Sequence, residues 1–527
     1  MTQIPNTSAM PAGTLAAAPG KTAHVESNVL RLRQLGIDTY QEPVVYMSRD
    51  CPVCRSEGWE AQTRIHVAHG DHGIVATLNV VTGDFLAPDE ASLSDAAWRL
   101  LGTLPGDTVV VSPLPPLASL GAVRAKVYGH ALSPPAIADI VRDVAAGRYS
   151  AIELAAFVTA CAGDRLDEAE TVALTRAMID VGDQLDWART PVVDKHSVGG
   201  LPGNRTTMLV VPIVASCGLV MPKTSSRAIT SPAGTADAME TVAPVDLPLA
   251  AMRRVVEREG GCIVWGGAVR LSPADDVIIR VERPLDLDSE GQLVASVLSK
   301  KAAAGSTHVV IDVPVGPTAK VRSAEAARQL GDRLVRVGVA VGLTVDVVPG
   351  DGSQPIGRGI GPALEARDVL AVLRNEDGAP ADLRARALVL AGRVLELGGR
   401  AADGEGLALA RRHLERGDAW RKFEAICEAQ GGRREPPSAA YTRDVVARHA
   451  GRVGAIDNRR LARAAKLAGA PRAAAAGLVL HTPLGHHVAT GQPLFTLHAE
   501  SRGELAYAAL YVDANPGIVA LETEAAP

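Results

Sequence analysis

The runs Val309-Val-Ile-Asp-Val-Pro-Val315 and Leu343-Thr-Val-Asp-Val-Val348 are rich in β-branched apolar residues, and the chain between them carries a helical pattern. Apolar runs of this kind alternate with helical stretches and Gly-rich turns from Val192 to about Gly361. The alternation predicts an α/β domain with a substantial parallel sheet, because parallel neighbours need a crossover between them. Ala-rich and Arg-rich helices carry the domain on to about Ala429, where Gln430-Gly-Gly-Arg-Arg-Glu-Pro-Pro-Ser438 breaks all periodicity and reads as a linker.

Upstream the pattern turns helical. Ser133-Pro-Pro opens a segment whose Ile137, Ile140, Val141 and Val144 recur on one face. Ser150-Ala-Ile-Glu153 has the spacing of a capping box, and a third helix is expected from Leu166 through Met178. Further upstream, Ile65-His-Val67, Gly73-Ile-Val-Ala-Thr-Leu-Asn-Val-Val81 and Thr108-Val-Val-Val-Ser112 read as strands between Gly and Asp breaks. The predicted organisation is a disordered tail (1–25), a β-rich N-terminal domain (26–105), a helical domain (110–180), an α/β domain (190–429) and a small α+β C-terminal domain (439–520). At 527 residues the chain is too long for a single core, so several units are expected.

Composition narrows the function. A formal charge of −5 and an aromatic content of 3% argue against a nucleic-acid binder, so any bound anion has to be caught locally. The first 25 residues lack the basic start and apolar core of a signal peptide, and no apolar run approaches membrane-spanning length; a cytoplasmic protein with no membrane partner is expected. The six cysteines are too sparse for a disulfide framework. Cys51-Pro-Val-Cys54 with His66, His69 and His72 has zinc-ligand residue types, but no second CxxC accompanies it, and the expectation is ordinary half-buried thiols with no metal.

Two polar stretches carry the chemistry. In Asp194-Lys-His-Ser-Val-Gly-Gly-Leu-Pro-Gly-Asn-Arg-Thr-Thr207, glycines 199, 200 and 203 let the backbone approach a ligand with its amides exposed, while Lys195, Ser197, Thr206 and Thr207 add a charge and three hydroxyls. Lys223-Thr-Ser-Ser-Arg-Ala-Ile-Thr-Ser-Pro-Ala-Gly-Thr-Ala-Asp237 packs six further hydroxyls with a Lys and an Arg. Such sets suit a phosphate, and neither stretch has P-loop spacing. Gly350-Asp-Gly-Ser-Gln-Pro-Ile-Gly-Arg-Gly-Ile-Gly361 lacks the dinucleotide spacing and reads as a loop.

Together with Ala295-Ser-Val-Leu-Ser-Lys-Lys301, these stretches resemble the signatures of the thymidine and pyrimidine-nucleoside phosphorylases. The variants Leu201–Thr207 and Lys223–Ser231 are closer to the family's long branch, which contains AMP phosphorylases and proteins named thymidine phosphorylase by similarity. The likeness covers about 110 to 515 and includes Gly485–Ser501, which resembles the family's C-terminal domain. It implies a helical domain, with a returning segment near 270–304, facing a large α/β domain across a cleft. It also implies phosphorolysis of a nucleoside N-glycosidic bond without a cofactor, inorganic phosphate being a co-substrate, by a homodimer or larger homo-oligomer.

By motif position, the resemblance implies phosphate contacts at Lys195, Ser197, Thr207, Ser225 and Thr235. It implies nucleotide contacts at Gly200, Ser226, Arg227, Ala228, Ile229, Thr230, Ser231, Ser296 and Lys320. Asp288 matches the proton donor of the AMP branch, and His196 and Lys300 match base-side positions of the pyrimidine branch. Phosphorolysis fits these residue types: hydroxyls and one ammonium orient the anionic nucleophile, and an acid or cation meets the charge developing on the departing base. The segment Ile279-Arg-Val-Glu-Arg-Pro284 differs in length from pyrimidine-specific relatives, so neither Arg280 nor Arg283 is assigned to the arginine those relatives place upstream of the Ser296 equivalent; thymidine or another pyrimidine nucleoside is the leading substrate, with AMP as the alternative. A nucleotide-binding scaffold without turnover is the alternative of another class.

Overall fold

The computed structural model describes residues 28–228, 231–285, 287 and 289–522. The expected tail and the candidate residues Ile229, Thr230 and Asp288 lie outside the described residues. The chain forms two compact units, one running to Leu117 with Ala146–Ser150 added, the other made of Ala118–Ala145 and the chain from Ala151.

The first unit is a closed barrel of β1 (Val29–Leu32), β2 (Val44–Ser48), β3 (Arg64–His69), β4 (His72–Val81), β5 (Glu90–Leu93) and β6 (Thr108–Pro113), ordered β1-β5-β2-β4-β3-β6. Closure removes the free edges that a small sheet would expose. His69 and His72 pair across the β3–β4 turn, with Gly70 in the left-handed region at φ +55°, as the turn reading requires. Helix α1 (Pro52–Glu57) follows Cys51, and α2 (Asp95–Leu101) is capped by Ser94, whose hydroxyl accepts from the Ala97 amide. The half-buried expectation for the thiols is corrected: Cys51 and Cys54 sit at 0% and 5% exposure in the barrel core, packed with Val45, Met47, Leu78 and Trp98. The unit also runs past residue 105, because β6 pairs with both β1 and β3 and closes the barrel.

The second unit begins with α3 (Leu120–Val127), α4 (Pro134–Ala145), α5 (Ala151–Ala160) and α6 (Glu168–Asp180). Helix α4 buries Ile137, Ile140, Val141 and Val144, the face read from the spacing. Helix α6 starts two residues later than expected because Asp167 and Glu170 form a reciprocal capping box.

The parallel sheet follows: β7 (Val193–Ser197), α7 (Thr206–Ser216), β8 (Met221–Ser225), α8 (Thr235–Glu240), α9 (Leu249–Glu259), β9 (Gly261–Trp265), α10 (Pro273–Leu285), α11 (Glu290–Ala303), β10 (His308–Val315), α12 (Ala324–Ala340) and β11 (Thr344–Asp351). β10 lies between β7 and β11, β8 pairs with β9, and a parallel bridge from Val192 to Val220 joins the two sets. The resulting order is β11-β10-β7-β8-β9. The chain runs outward from β7 through β8 to β9, then returns to place β10 on the other side of β7. That reversal makes a topological switch point between β7 and β10, and in open α/β sheets ligands bind outside the carboxyl ends of the strands at such a point. Helices α10 and α11 pack back on α4, α5 and α6.

After β12 (Gly359–Ile360) come α13 (Pro362–Leu373), α14 (Ala381–Leu397), α15 (Gly406–Glu415) and α16 (Asp418–Gln430), then β13 (Tyr441–Val446), β14 (Gly451–Ile456), α17 (Asn458–Leu467), β15 (Gly477–Leu480), β16 (His487–Val488), β17 (Pro493–Ala499), α18 (Arg502–Ala514) and β18 (Val519–Glu522). The C-terminal part is not built from its own residues alone, because β12 supplies the edge of its sheet β12-β15-β17-β13. No helix among the described residues is long and apolar enough to cross a membrane.

Replacing Cys51 and Cys54 together with Ser puts two hydroxyls into an apolar core and should cost about 1–3 kcal/mol at each site. The expected outcome is a lower unfolding midpoint with unchanged turnover per folded molecule, because every candidate site residue lies at or beyond position 195. Stoichiometric zinc in the purified protein, lost together with activity in the double variant, would contradict this.

Candidate active site

Strand β7 alternates, so Asp194 and His196 face one side of the sheet and Lys195 and Ser197 the other. On the first side Asp194 Oδ2 lies 2.6 Å from Lys301 Nζ of α11, and Oδ1 lies 3.1 Å from Lys223 Nζ of β8. All three groups are buried. Burial alone would raise the Asp194 carboxyl, but the two ammonium groups outweigh it and hold it below the usual carboxylate range. His196 shares this face; burial, then the fields of Lys301, Lys223 and Lys300, push it well below the usual imidazole value, so it is neutral at pH 7.

On the second side Lys195 Nζ donates to Thr206 Oγ1 at 2.8 Å and lies 3.6 Å from Asp312 of β10. Asp312 also accepts from Arg386 Nε at 3.1 Å and from Asn204 Nδ2 at 3.1 Å, and Asn204 Oδ1 accepts from Thr206 Oγ1 at 3.0 Å. Burial pushes Lys195 down to about 8, with Asp312 opposing. Asp312 stays below the usual range because Lys195 and Arg386 overcome the cost of its burial. Asn204 Nδ2 is also 3.4 Å from Ser197 Oγ, which ties that hydroxyl to the same network.

Between the carboxyl end of β7 and α7 the backbone turns through Gly199, Gly200 and Gly203, at φ +84°, +81° and +73°. A side chain at Gly200 would come within 2.5 Å of the Lys320 amide nitrogen, so only glycine fits there. Thr206 and Thr207 form the first turn of α7, where amide donors and the positive end of the helix dipole favour an anion. Arg205, the N-cap residue, donates from Nη1 to Thr235 Oγ1 at 3.0 Å and places Nε 2.5 Å from Glu365 Oε2. Ser225 closes β8; its hydroxyl is buried and finds no hydrogen-bond partner among the described residues.

Three family models match in order. Residues 121–182 match the helical bundle domain of a glycosyl transferase family, 189–420 its a/b domain, and 452–518 the pyrimidine nucleoside phosphorylase C-terminal domain. A protein named "Putative thymidine phosphorylase" from Polaromonas sp. (strain JS666 / ATCC BAA-500) is 69% identical over 94% of this chain and 96% of its own length. "Putative thymidine phosphorylase 1" from Acidovorax sp. (strain JS42) is 68% identical over 94% and 97%. The chain belongs to the thymidine and pyrimidine-nucleoside phosphorylase family. It is a pentosyltransferase.

Among the candidate residues of this phosphorylase family member, Lys195, Ser197 and Thr207 lie at the switch point at the end of β7 and the start of α7, and Thr235 is joined to them through Arg205. Lys300 and Ser296 form a second group on α11, where Lys300 Nζ donates to Asp275 Oδ2 at 2.6 Å and to Ser296 Oγ at 3.0 Å. Arg227 is bound to Glu240 and Asp237 and stacks 5.0 Å from the Trp265 ring centroid. The Ala228 amide is taken by Asp237 Oδ2 at 2.6 Å, Ser231 Oγ donates to the Ala233 carbonyl at 2.8 Å, and Ser226 is exposed. Lys320 is exposed, and its backbone packs on Gly200.

Sequence reasoning missed Arg205, Glu365, Asp312 and Arg386, because ordinary spacing gives no signal for which distant residues become partners. It also missed two carboxyls of α10 in the field of Lys300. Burial and then Asp275 raise Glu282 to about 7 and Asp276 to about 6, so both are able to carry a proton near neutrality.

Asp194→Asn leaves two buried ammonium groups without their counter-charge and should cost about 3–5 kcal/mol of stability. Because the folded value is depressed, this contribution is present above the unfolded value of about 3.9 and is lost as pH falls through the folded one. Denaturant unfolding of wild type and variant at pH 7 and pH 3 should therefore show a gap that narrows at the lower pH.

Proposed function

We propose that this enzyme splits thymidine, or another pyrimidine nucleoside, with inorganic phosphate into free base and (deoxy)ribose 1-phosphate. The observation that carries the reading is the set of hydroxyls at the carboxyl ends of the strands. Asn204 ties Ser197 and Arg205 ties Thr235 around a glycine turn, Thr207 lies in the first turn of α7, and Ser225 offers a buried hydroxyl without a partner among the described residues. Such a set holds an acceptor-only phosphate by donation from several sides.

A phosphate oxygen forms the new bond to the anomeric carbon, the carbon–nitrogen bond breaks, and its electron pair leaves with the base. No side-chain nucleophile is needed. Lys195 sets the positive potential under the phosphate, and its ion pair with Asp312 keeps the ammonium in place. On the base side, His196 is neutral and able to donate or accept, Lys300 is a cation, and Asp288 is the proton donor implied by the resemblance. The motif variants Leu201–Thr207 and Lys223–Ser231 support a second reading in which AMP is the substrate and ribose 1,5-bisphosphate the product.

Base release from thymidine, uridine, AMP, CMP and UMP, each with and without phosphate, decides between the readings. Release from none of them would overturn both readings. Ser225→Ala should raise the KM for phosphate about tenfold or more, the loss expected for a hydrogen bond to a charged group. Its unfolding midpoint should not change, because no partner among the described residues is lost. An unchanged KM for phosphate would remove Ser225 from the site.

A further inference from the structure

We propose that Arg205 is a positioning residue that aims the Thr235 hydroxyl at the attacking phosphate, with Glu365 as the anchor of its guanidinium. The inference rests on reading Thr235 as a phosphate contact. Arg205 Nη1 lies 3.0 Å from Thr235 Oγ1, Nε donates to the Gly203 carbonyl at 3.0 Å, and Nε is 2.5 Å from Glu365 Oε2.

A guanidinium has only donors, so at Thr235 it must donate. That occupies one lone pair of the hydroxyl and leaves its single proton for another acceptor. A phosphate dianion has only acceptors to offer. The contact therefore selects the one hydroxyl orientation that serves phosphate, and selects it before the ligand arrives.

Two features show that Arg205 is not there for the helix. It is the N-cap of α7 and makes no side-chain cap hydrogen bond, so the usual reason for a polar residue at this position is missing. A cation at the positive end of an eleven-residue helix also opposes the dipole. Glu365 faces that charge from α13: its carboxyl is 2% exposed, burial raises it to about 7 against the pull of Arg205, and its Oε1 accepts from the Gly361 amide at 3.0 Å. Removing two charges from water makes such a pair a weak source of stability, and positional specificity is the better account of it.

Titration calorimetry of inorganic phosphate into the full chain tests this with wild type, Thr235→Ala, Thr235→Ser, Arg205→Lys, Glu365→Gln and the Arg205→Lys/Thr235→Ala pair. Thr235→Ala and Arg205→Lys should each weaken phosphate binding about tenfold, as loss of one charge-assisted contact does. The double variant should be no weaker than Thr235→Ala alone, and Thr235→Ser should bind as wild type does. Glu365→Gln, nearly isosteric, should weaken binding in the same direction and serves if Arg205→Lys does not fold. Wild-type affinity in Arg205→Lys, or losses that multiply in the double variant, would overturn the inference and leave the phosphate site standing. A wild type that takes up no phosphate would overturn the site itself, and this inference with it.

Discussion

Asp194 is held between Lys223 and Lys301 in the interior of the α/β core, where all three groups are buried. The three residues come from β7, β8 and α11, so one buried carboxylate joins two strands of the sheet to a helix that packs against α6. A buried pair of this kind is a poor source of net stability, but it is costly to break, which makes it a strong device for specifying one arrangement. Because strand side chains alternate, fixing Asp194 on one face fixes Lys195 and Ser197 on the other. The site on the second face depends on the register set on the first.

On the proposed reading, that second face is where a chain with a net negative charge holds an anion. Lys195, Arg205 and Arg386 meet Asp312 and Glu365 in a network that is nearly balanced and largely buried. Local excess is supplied by geometry: amides at the start of α7, left-handed glycines and hydroxyls turned by fixed partners. In a low-dielectric setting such pre-set dipoles act strongly and need no rearrangement when charge develops. In the proposed reading the two groups of candidate residues divide the labour, with the strand ends taking phosphate and the α10–α11 carboxyls and Lys300 facing a departing base.

The sequence by itself determined the alternation of strands and helices from Val192 to Gly361, the buried stripe of α4, the turn at His69–His72 and the polar stretches that carry the family likeness. These are local properties: period, turn chemistry and the order of short motifs are written in neighbouring residues. Only the tertiary structure decided that Arg205 answers to Glu365 and Thr235, that Asp312 joins Lys195 to Arg386, that the barrel closes through β6 around Cys51 and Cys54, and that β12 completes a sheet made mostly of C-terminal residues. Those pairings span long stretches of chain, and no periodicity encodes which distant charge will meet another. They follow from the strand order, which brings the ends of β7, β8 and β10 to one edge of the sheet, and from the high cost of leaving any buried charge there without a partner.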